Sequence, residues 1–284
     1  MEQLEKIYSG KVRDLYAIND KYLLMVASDR LSAFDVVFPD PIPDKGAILT
    51  QMSNRWFAFF KDDIATQVTD MILEDIIAHP SEDLKNRSVI IKKLKPVKIE
   101  AVVRGYLAGG GWKEYQEKGT VSGVKLPSGL KQAEKLPKPI FTPSTKAEVG
   151  EHDQAISMKE AALIVGEECA KAIKEKSLQL YQKATVYAKA RGIVIADTKF
   201  EFGLDENGTL TLMDEVLTPD SSRFWDEESY RVGEEPFSLD KQYVRNWLES
   251  IHWDKNPPAP KLPQEVVKET QQRYRTIFTR LFDV

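Results

Sequence analysis

The segment Ile193-Val194-Ile195-Ala196-Asp197-Thr198-Lys199-Phe200-Glu201-Phe202-Gly203 decides how the chain is read. Its β-branched and aromatic content predicts a strand, in which alternate side chains share a face. Val194, Ala196, Thr198, Phe200 and Phe202 then fall on one face, and Asp197, Lys199 and Glu201 on the other beside Ile193 and Ile195. Downstream, Asn207-Gly208 is a strong two-residue hairpin signal. A turn there sets Glu206 against Thr209 and, counting back, Glu201 against Asp214. Like charges directly opposed on a sheet are destabilising unless a cation bridges them or they share a proton. Two hard carboxylates with no His or Cys nearby suit Mg²⁺, which fills its shell with water and phosphate oxygens. The plainer reading is a solvated face on an edge hairpin. It leaves unexplained why both strands carry acids at one rung and why Thr218-Pro219-Asp220-Ser221-Ser222-Arg223 follows.

Upstream of this segment the pattern changes several times. Ile7 to about Val37 reads as a hairpin, with Asn19-Asp20 as a turn and Tyr22 to Ala27 as a buried strand. Ile48, Leu49, Met52, Trp56, Phe59 and Phe60 recur at helical spacing, predicting a helix over 45–60. Val89 to Leu94 and Ile99 to Arg104 read as two strands around Pro96. The Gly- and Pro-rich stretch from Gly105 to Pro143 reads as mostly loop. Ser157-Met158-Lys159-Glu160 is a capping box opening a long helical stretch, with a break expected near Ser177 and a stop at Gly192. Two helices, 239–251 and 265–282, close the chain around Pro257-Pro258-Ala259-Pro260. Strands first, then helices flanking a hairpin, predict an α+β fold in two lobes, 1–100 and 101–284, with a cleft between them.

Composition narrows the function. The 284 residues are 42% hydrophobic and 30% charged, an ordinary globular balance. Cys169 is the single cysteine, and the three histidines stand far apart, so neither a disulfide scaffold nor a zinc site is expected. The first six residues lack the features of a signal peptide, and no apolar run approaches the ~20 residues that span a bilayer. A cytoplasmic protein with no membrane partner is expected. The net charge of -4 argues against a broad nucleic-acid surface, so any anion must be held by local clusters.

Three such clusters exist. Ser9-Gly10-Lys11-Val12-Arg13-Asp14 sets Lys11 and Arg13 on one face of a strand after a glycine, a pattern able to approach and neutralise a phosphate. Arg104 precedes Gly109-Gly110-Gly111-Trp112, whose N–H groups can wrap an anion. Ser28-Asp29-Arg30-Leu31-Ser32-Ala33-Phe34-Asp35 packs polar groups where a turn alone would do. Exposed cations, a flexible connector and a simple turn are the bland alternatives. P-loop and dinucleotide fingerprints are missing from the sequence.

Taken in order, these motifs resemble one family, the SAICAR synthetases (phosphoribosylaminoimidazole-succinocarboxamide synthases) of purine biosynthesis. The resemblance also rests on Pro43-Asp44-Lys45-Gly46, on Thr142-Pro143-Ser144-Thr145-Lys146-Ala147-Glu148 with Gly150-Glu151-His152-Asp153, on Asp214-Glu215, and on Pro219 to Trp225. It implies a two-lobed fold related to ATP-grasp enzymes. It also implies a ligase joining the carboxylate of carboxyaminoimidazole ribonucleotide (CAIR) to the amine of L-aspartate, ATP going to ADP and phosphate, by way of an acyl phosphate.

Carried over by motif, Gly10, Lys11, Val12 and Arg13 match the ATP-phosphate strand, Lys146 a nucleotide-site lysine, and Val97 and Lys98 the backbone facing adenine. Glu201 and Asp214 match the magnesium ligands, with Glu201 also on the ATP side. Ser28, Asp29, Arg30, Ser32, Asp35, Lys45, Arg104, Gly110, Asp197, Lys199, Asp220, Ser222 and Arg223 match positions around CAIR and aspartate. Of these, Lys199, Asp197 and Arg223 stand nearest the chemistry, Asp197 as base or as orienting group. Many relatives have serine where this chain has Gly110, leaving the backbone N–H there to serve. A monomer or homodimer is expected. A metal-dependent phosphohydrolase and a non-catalytic nucleotide-binding module are the competing readings.

Overall fold

The strand forms over Ile193–Leu204 and is the spine of an eight-stranded sheet. One flank pairs with Ser222–Asp226 and then Leu210–Met213, the other with Ile99–Tyr106 and then Lys95–Pro96, all antiparallel. The computed structural model describes residues 4–146 and 153–282; Ala147 to His152 of the motif quoted above lie outside the described residues.

Simple alternation fails along this strand. Ile193, Val194 and Ile195 face Asp226, Trp225 and Phe224, but Asp197 faces Arg223, so Ala196 is an extra residue in the ladder. A bulge of this kind reverses the parity of the side chains beyond it. Ile193 and Ile195 therefore join Phe200 and Phe202 in the main core, correcting their expected place beside the charges, while Asp197, Lys199 and Glu201 take the opposite face, Asp197 and Glu201 largely buried there. The bulge is anchored from below: the buried Tyr181 hydroxyl donates to Ile195 O at 2.7 Å and lies 3.3 Å from Ala196 O. Gly105 makes room for it, since a Cβ there would sit 2.1 Å from the Tyr181 oxygen.

The hairpin register also differs from expectation by one residue. Leu204 pairs with Leu210 and Glu201 with Met213, so Asp214 stands one place past the rung. The Asp205 carboxylate accepts from Asn207 N–H and Thr209 N–H, which widens the loop beyond a two-residue Asn-Gly turn.

The front of the chain builds a separate four-stranded antiparallel sheet, in the order Lys6–Ser9, Arg13–Ala17, Tyr22–Ala27 and Ser88–Lys92, over its own small core of Tyr16, Leu24, Val26, Leu73, Leu84 and Ile90. The helix Lys45–Phe60 has the expected bounds and packs Met52, Trp56 and Phe60 into the main core, under the eight-stranded sheet. The first hundred residues thus supply both sheets, Ala65–Thr66 and Lys95–Pro96 belonging to the larger one.

Gly105 to Pro143 is not mainly loop. Gly109–Lys118 is a helix and Lys135–Phe141 a strand, held by Leu107, Tyr115, Val121, Leu126, Leu136 and Ile140. The capping box at Ser157 and Glu160 forms, but the helical stretch breaks at Gly166 rather than Ser177, giving Met158–Val165 and Glu167–Lys189. Ser177 is accommodated because its hydroxyl donates to Ile173 O at 2.7 Å. The closing helices are Gln242–Ser250 and Gln264–Phe282. Among the described residues, no helix is long and apolar enough to cross a membrane.

Candidate active site

Reversed by the bulge, the outward face of the central strand carries a row of charges that its neighbours complete. Arg104, Asp197 and Arg223 stand opposite one another on three adjacent strands. Arg104 Nη1 lies 3.0 Å from Asp197 Oδ2, and Arg223 Nη1 donates to both oxygens of the same carboxylate at 2.7 and 3.0 Å. Burial lowers the proton affinity of the Arg104 guanidinium despite Asp197. For Arg223, burial is outweighed by the attraction of Asp197 and Asp240. Both oxygens of Asp197 are thus engaged by guanidinium groups.

The Gly109–Lys118 helix begins against these arginines. A Cβ on Gly109 would lie 2.1 Å from Arg223 Nη2 and one on Gly111 3.1 Å from Arg104 Cδ, whereas nothing lies within 4 Å of a Cβ on Gly110. Gly109 also has φ +53, a conformation glycine adopts without strain. The first helical N–H groups have no partner within their own helix. Two guanidinium groups and a helix N-terminus therefore converge at one end of the row, a setting for a phosphate or carboxylate.

Further along, Lys199 Nζ pairs with Glu100 and lies 3.9 Å from Glu201 Oε1, while Lys146 Nζ pairs with Glu201 Oε2. The ladder runs to Phe200 against Ala101, and the Glu100 and Glu201 carboxylates just beyond it both face the Lys199 ammonium. The directly opposed pair Glu201 and Asp214 expected from sequence does not form, since Glu201 pairs with Met213; the acid that shares Lys199 with Glu201 is Glu100. Burial lifts the Glu100 carboxyl above its usual range against the pull of Lys199. Burial works against the Lys199 ammonium, yet Glu100, Glu201 and Asp214 hold its pKa above the ordinary lysine value. Lys146 is raised likewise, by Glu201, Asp214 and Glu100.

Asp214 connects this face to the front sheet. It sits at φ +62, its backbone clamped by Gln67, whose amide donates to Asp214 O at 2.9 Å and accepts from Asp214 N at 3.0 Å. Its carboxylate lies 3.1 Å from Arg13 Nη1, and Glu215 lies 2.8 Å from Arg13 Nη2. Lys11 does not share a strand face with Arg13: residues 10–12 form a turn before Arg13–Ala17 begins, and Lys11 Nζ pairs with Asp35.

Several residues carried over by motif spend their polar groups inside the protein. Ser28 Oγ donates to Val12 O, and Asp29 accepts from Gly46 N–H at 2.8 Å. Ser32 is buried in a two-residue ladder. Ser222 Oγ meets Thr198 Oγ at 2.7 Å, on the face opposite Asp197. Val97 N–H donates to Phe202 O, while Lys98 is exposed. Lys45 is fully buried, 2.9 Å from Asp220 Oδ2. Asp220 also lies 3.7 Å from Lys241 Nζ and accepts from the Tyr274 hydroxyl at 2.6 Å.

Glu100, Gln67 and Lys241 were not singled out in the sequence, and Glu215 entered only as part of a motif, without a role. Glu100 was within reach of it, because alternation through Ile99–Tyr106 puts Glu100, Val102 and Arg104 on one face. Gln67 and Lys241 come from distant loops and carried no local signal.

Among the described residues, no group of three His, Cys, Asp or Glu side chains forms a ready metal cage. Glu201 and Asp214 nevertheless suit Mg²⁺, which takes one or two carboxylates and completes its shell with phosphate oxygens and water.

The model of the SAICAR synthetase family matches residues 6–260. A phosphoribosylaminoimidazole-succinocarboxamide synthase of Neisseria meningitidis serogroup C is 57% identical over 279 residues, covering 98% of this chain and 97% of the relative. Among solved structures, a SAICAR synthase of Saccharomyces cerevisiae complexed with SAICAR superposes with TM-score 0.89 at 42% identity, covering 99% of this chain and 95% of that one. A SAICAR synthetase in complex with ADP matches with TM-score 0.72 at 27% identity, covering 98% and 97%.

Proposed function

The chain belongs to the SAICAR synthetase family, and from that premise we propose how its own residues carry out the family's reaction. It is an ATP-dependent ligase that joins the CAIR carboxylate to the amine of L-aspartate, releasing SAICAR, ADP and phosphate. One observation carries the assignment of the site. Arg13 of the front sheet reaches Asp214 and Glu215 at the end of the outward face that also holds Arg104, Asp197, Lys199 and Glu201. The first residue of the strand that follows the cationic turn thus touches the charged end of the larger sheet.

In this reading Arg104, Arg223 and the N–H groups at Gly109 to Gly111 hold the anionic groups of CAIR, oriented by Asp197. Each guanidinium offers a planar fork, which suits phosphate or carboxylate better than an ammonium does. The turn at Gly10 to Val12 and Lys146 receive the ATP phosphates. Glu201 and Asp214 would hold Mg²⁺, which when bound neutralises charge on the phosphate oxygens. Lys199 stands between these two ends, its ammonium kept charged by Glu100 and Glu201. It meets the negative charge that spreads as the CAIR carboxylate attacks the γ-phosphate. The aspartate amine then displaces phosphate from the acyl phosphate. Holding three reactants in line supplies much of the rate enhancement in such a transfer.

Asp220, Lys45 and Ser222 act here through position rather than contact, because their polar groups are engaged inside the fold. A coupled assay for ADP, run with and without CAIR and aspartate, tests the function. ADP release that needs both is expected. Release without either would indicate a phosphohydrolase, and none under any condition a binding module.

A further inference from the structure

The loop that follows Tyr22–Ala27 has a task that its sequence resemblance does not assign. Residues 10–12 form the turn between the first two strands, and all three of their carbonyls are held from one side. Arg30 Nη2 donates to Gly10 O at 3.2 Å and Arg30 Nε to Lys11 O at 3.0 Å. Val12 O accepts from both the Ser28 N–H and the Ser28 hydroxyl at 2.9 Å. The guanidinium is itself fixed, since Nη2 lies 3.1 Å from Asp14 Oδ1, and Asp14 also takes Ser9 Oγ at 2.7 Å and Lys6 Nζ at 3.0 Å.

In a trans peptide, the N–H of one residue points opposite to the C=O of the residue before it. Tying Gly10 O and Lys11 O to Arg30 therefore directs the N–H groups of Lys11 and Val12 away from the loop. Among the described residues, neither N–H has a hydrogen-bond partner. Two adjacent free N–H groups facing one way make a concave anion site. A cation on the carbonyl side polarises each peptide and strengthens its N–H as a donor.

We propose that Arg30 is a positioning residue for the nucleotide: it orients and polarises the Gly10–Val12 turn so that the Lys11 and Val12 N–H groups bind ATP phosphate oxygens, and it does not itself touch CAIR or aspartate. This deepens the proposed function and rests on it. Lysine at this position keeps the charge but cannot span two carbonyls and a carboxylate at once.

The test compares Arg30→Gln and Arg30→Lys with wild type. Calorimetric affinity for Mg-ADP is measured apart from turnover, alongside KM for each substrate and the melting temperature. Both variants should bind Mg-ADP about 10- to 100-fold more weakly, the cost of losing one or two hydrogen bonds to a charged group. KM for CAIR and aspartate should stay within about twofold, as expected for a group that touches neither. Unchanged Mg-ADP affinity overturns the proposal. So does restoration by lysine, which would make the effect one of charge alone, and so does a rise confined to the KM of CAIR or aspartate. Should both variants unfold, amide exchange in the wild-type protein decides: Mg-ADP must slow exchange at Lys11 and Val12, and equal rates with and without it refute the assignment. Nucleotide affinity can be read even if ligation is never observed, so failure here is distinct from failure of the assigned reaction.

Discussion

Asp197 shows how much depends on single contacts. Sequence spacing put it on the charged face, where alternation through Asp197, Lys199 and Glu201 holds. What spacing does not show is that both its oxygens are taken by Arg104 and Arg223. Arg223 meets both oxygens through Nη1 alone, and lysine in its place lacks the planar fork that can hold a second anion beside Asp197. Arg223→Lys should therefore raise KM for CAIR by about 10- to 100-fold, the worth of one or two charge-assisted hydrogen bonds. KM for ATP should move far less. Equal losses for both substrates in steady-state kinetics would detach Arg223 from the CAIR side. Glu100 makes a related point. Its pairing with Lys199 follows from strand register, a quantity that the composition of one segment does not contain.

Among the elements, the bulge at Ala196 matters most for chemistry, because it turns the charges outward while keeping Ile193 and Ile195 in the core. Its support by Tyr181 is testable. Tyr181→Phe removes the donor to Ile195 O and leaves a buried carbonyl unpaired, at a cost of about 1–3 kcal/mol. Chemical denaturation should show that loss together with a fall in kcat, since Asp197 is the next residue but one. A full loss of stability with unchanged kcat would mean that the bulge survives without its anchor.

The glycine-led helix supplies a second contrast. Gly109→Ala meets both a positive φ and the Arg223 guanidinium, so it should cost about 1–3 kcal/mol and raise KM for CAIR. Gly110→Ser has open space and should be neutral in stability, within about 0.5 kcal/mol. Thermal melts of the two variants check this directly; matching losses would refute the packing argument. This helix was not legible beforehand, because three glycines are poor helix formers. It persists because Tyr115 and Leu107 pack into a local cluster assembled from later residues. The hairpin register failed for a similarly local reason, the Asp205 side chain capping a wider loop. The Lys45–Phe60 helix was readable to the residue because its apolar period alone determines its buried face.

At the scale of the molecule, Asp220 joins elements far apart in sequence: Lys45 at the start of one helix, Lys241 just before another and Tyr274 in the last. Burial opposes its ionisation, but Lys241 and Lys45 prevail and hold its carboxyl well below the usual range. Stability from this group is thus present above the ordinary carboxylate range and is lost only in strong acid. Burial also pushes the Lys241 ammonium down to about 8, against the pull of Asp220. From there up to the ordinary lysine value of 10.5 the unfolded chain holds more protons, so this group adds stability as pH rises. Asp220→Asn strands two buried cations and should cost about 3–5 kcal/mol near neutral pH. Without Asp220 the Lys241 ammonium is pushed down further, so the loss should shrink as pH rises toward 8, where Lys241 discharges in the wild type as well, and level off above it; a loss independent of pH between about 6 and 8 would contradict this wiring. The α+β character was foreseeable from strands preceding helices, whereas this junction, built from single residues of four segments, was not.

Binding of Mn²⁺ in place of Mg²⁺, followed by electron paramagnetic resonance in the presence of ADP, examines the carboxylate pair itself. Compared with wild type, Glu201→Gln and Asp214→Asn should each weaken Mn²⁺ binding in the nucleotide complex by about 10- to 100-fold, the scale found for perturbed metal sites, while the protein stays folded. Wild-type Mn²⁺ affinity in both variants would contradict the account at its centre.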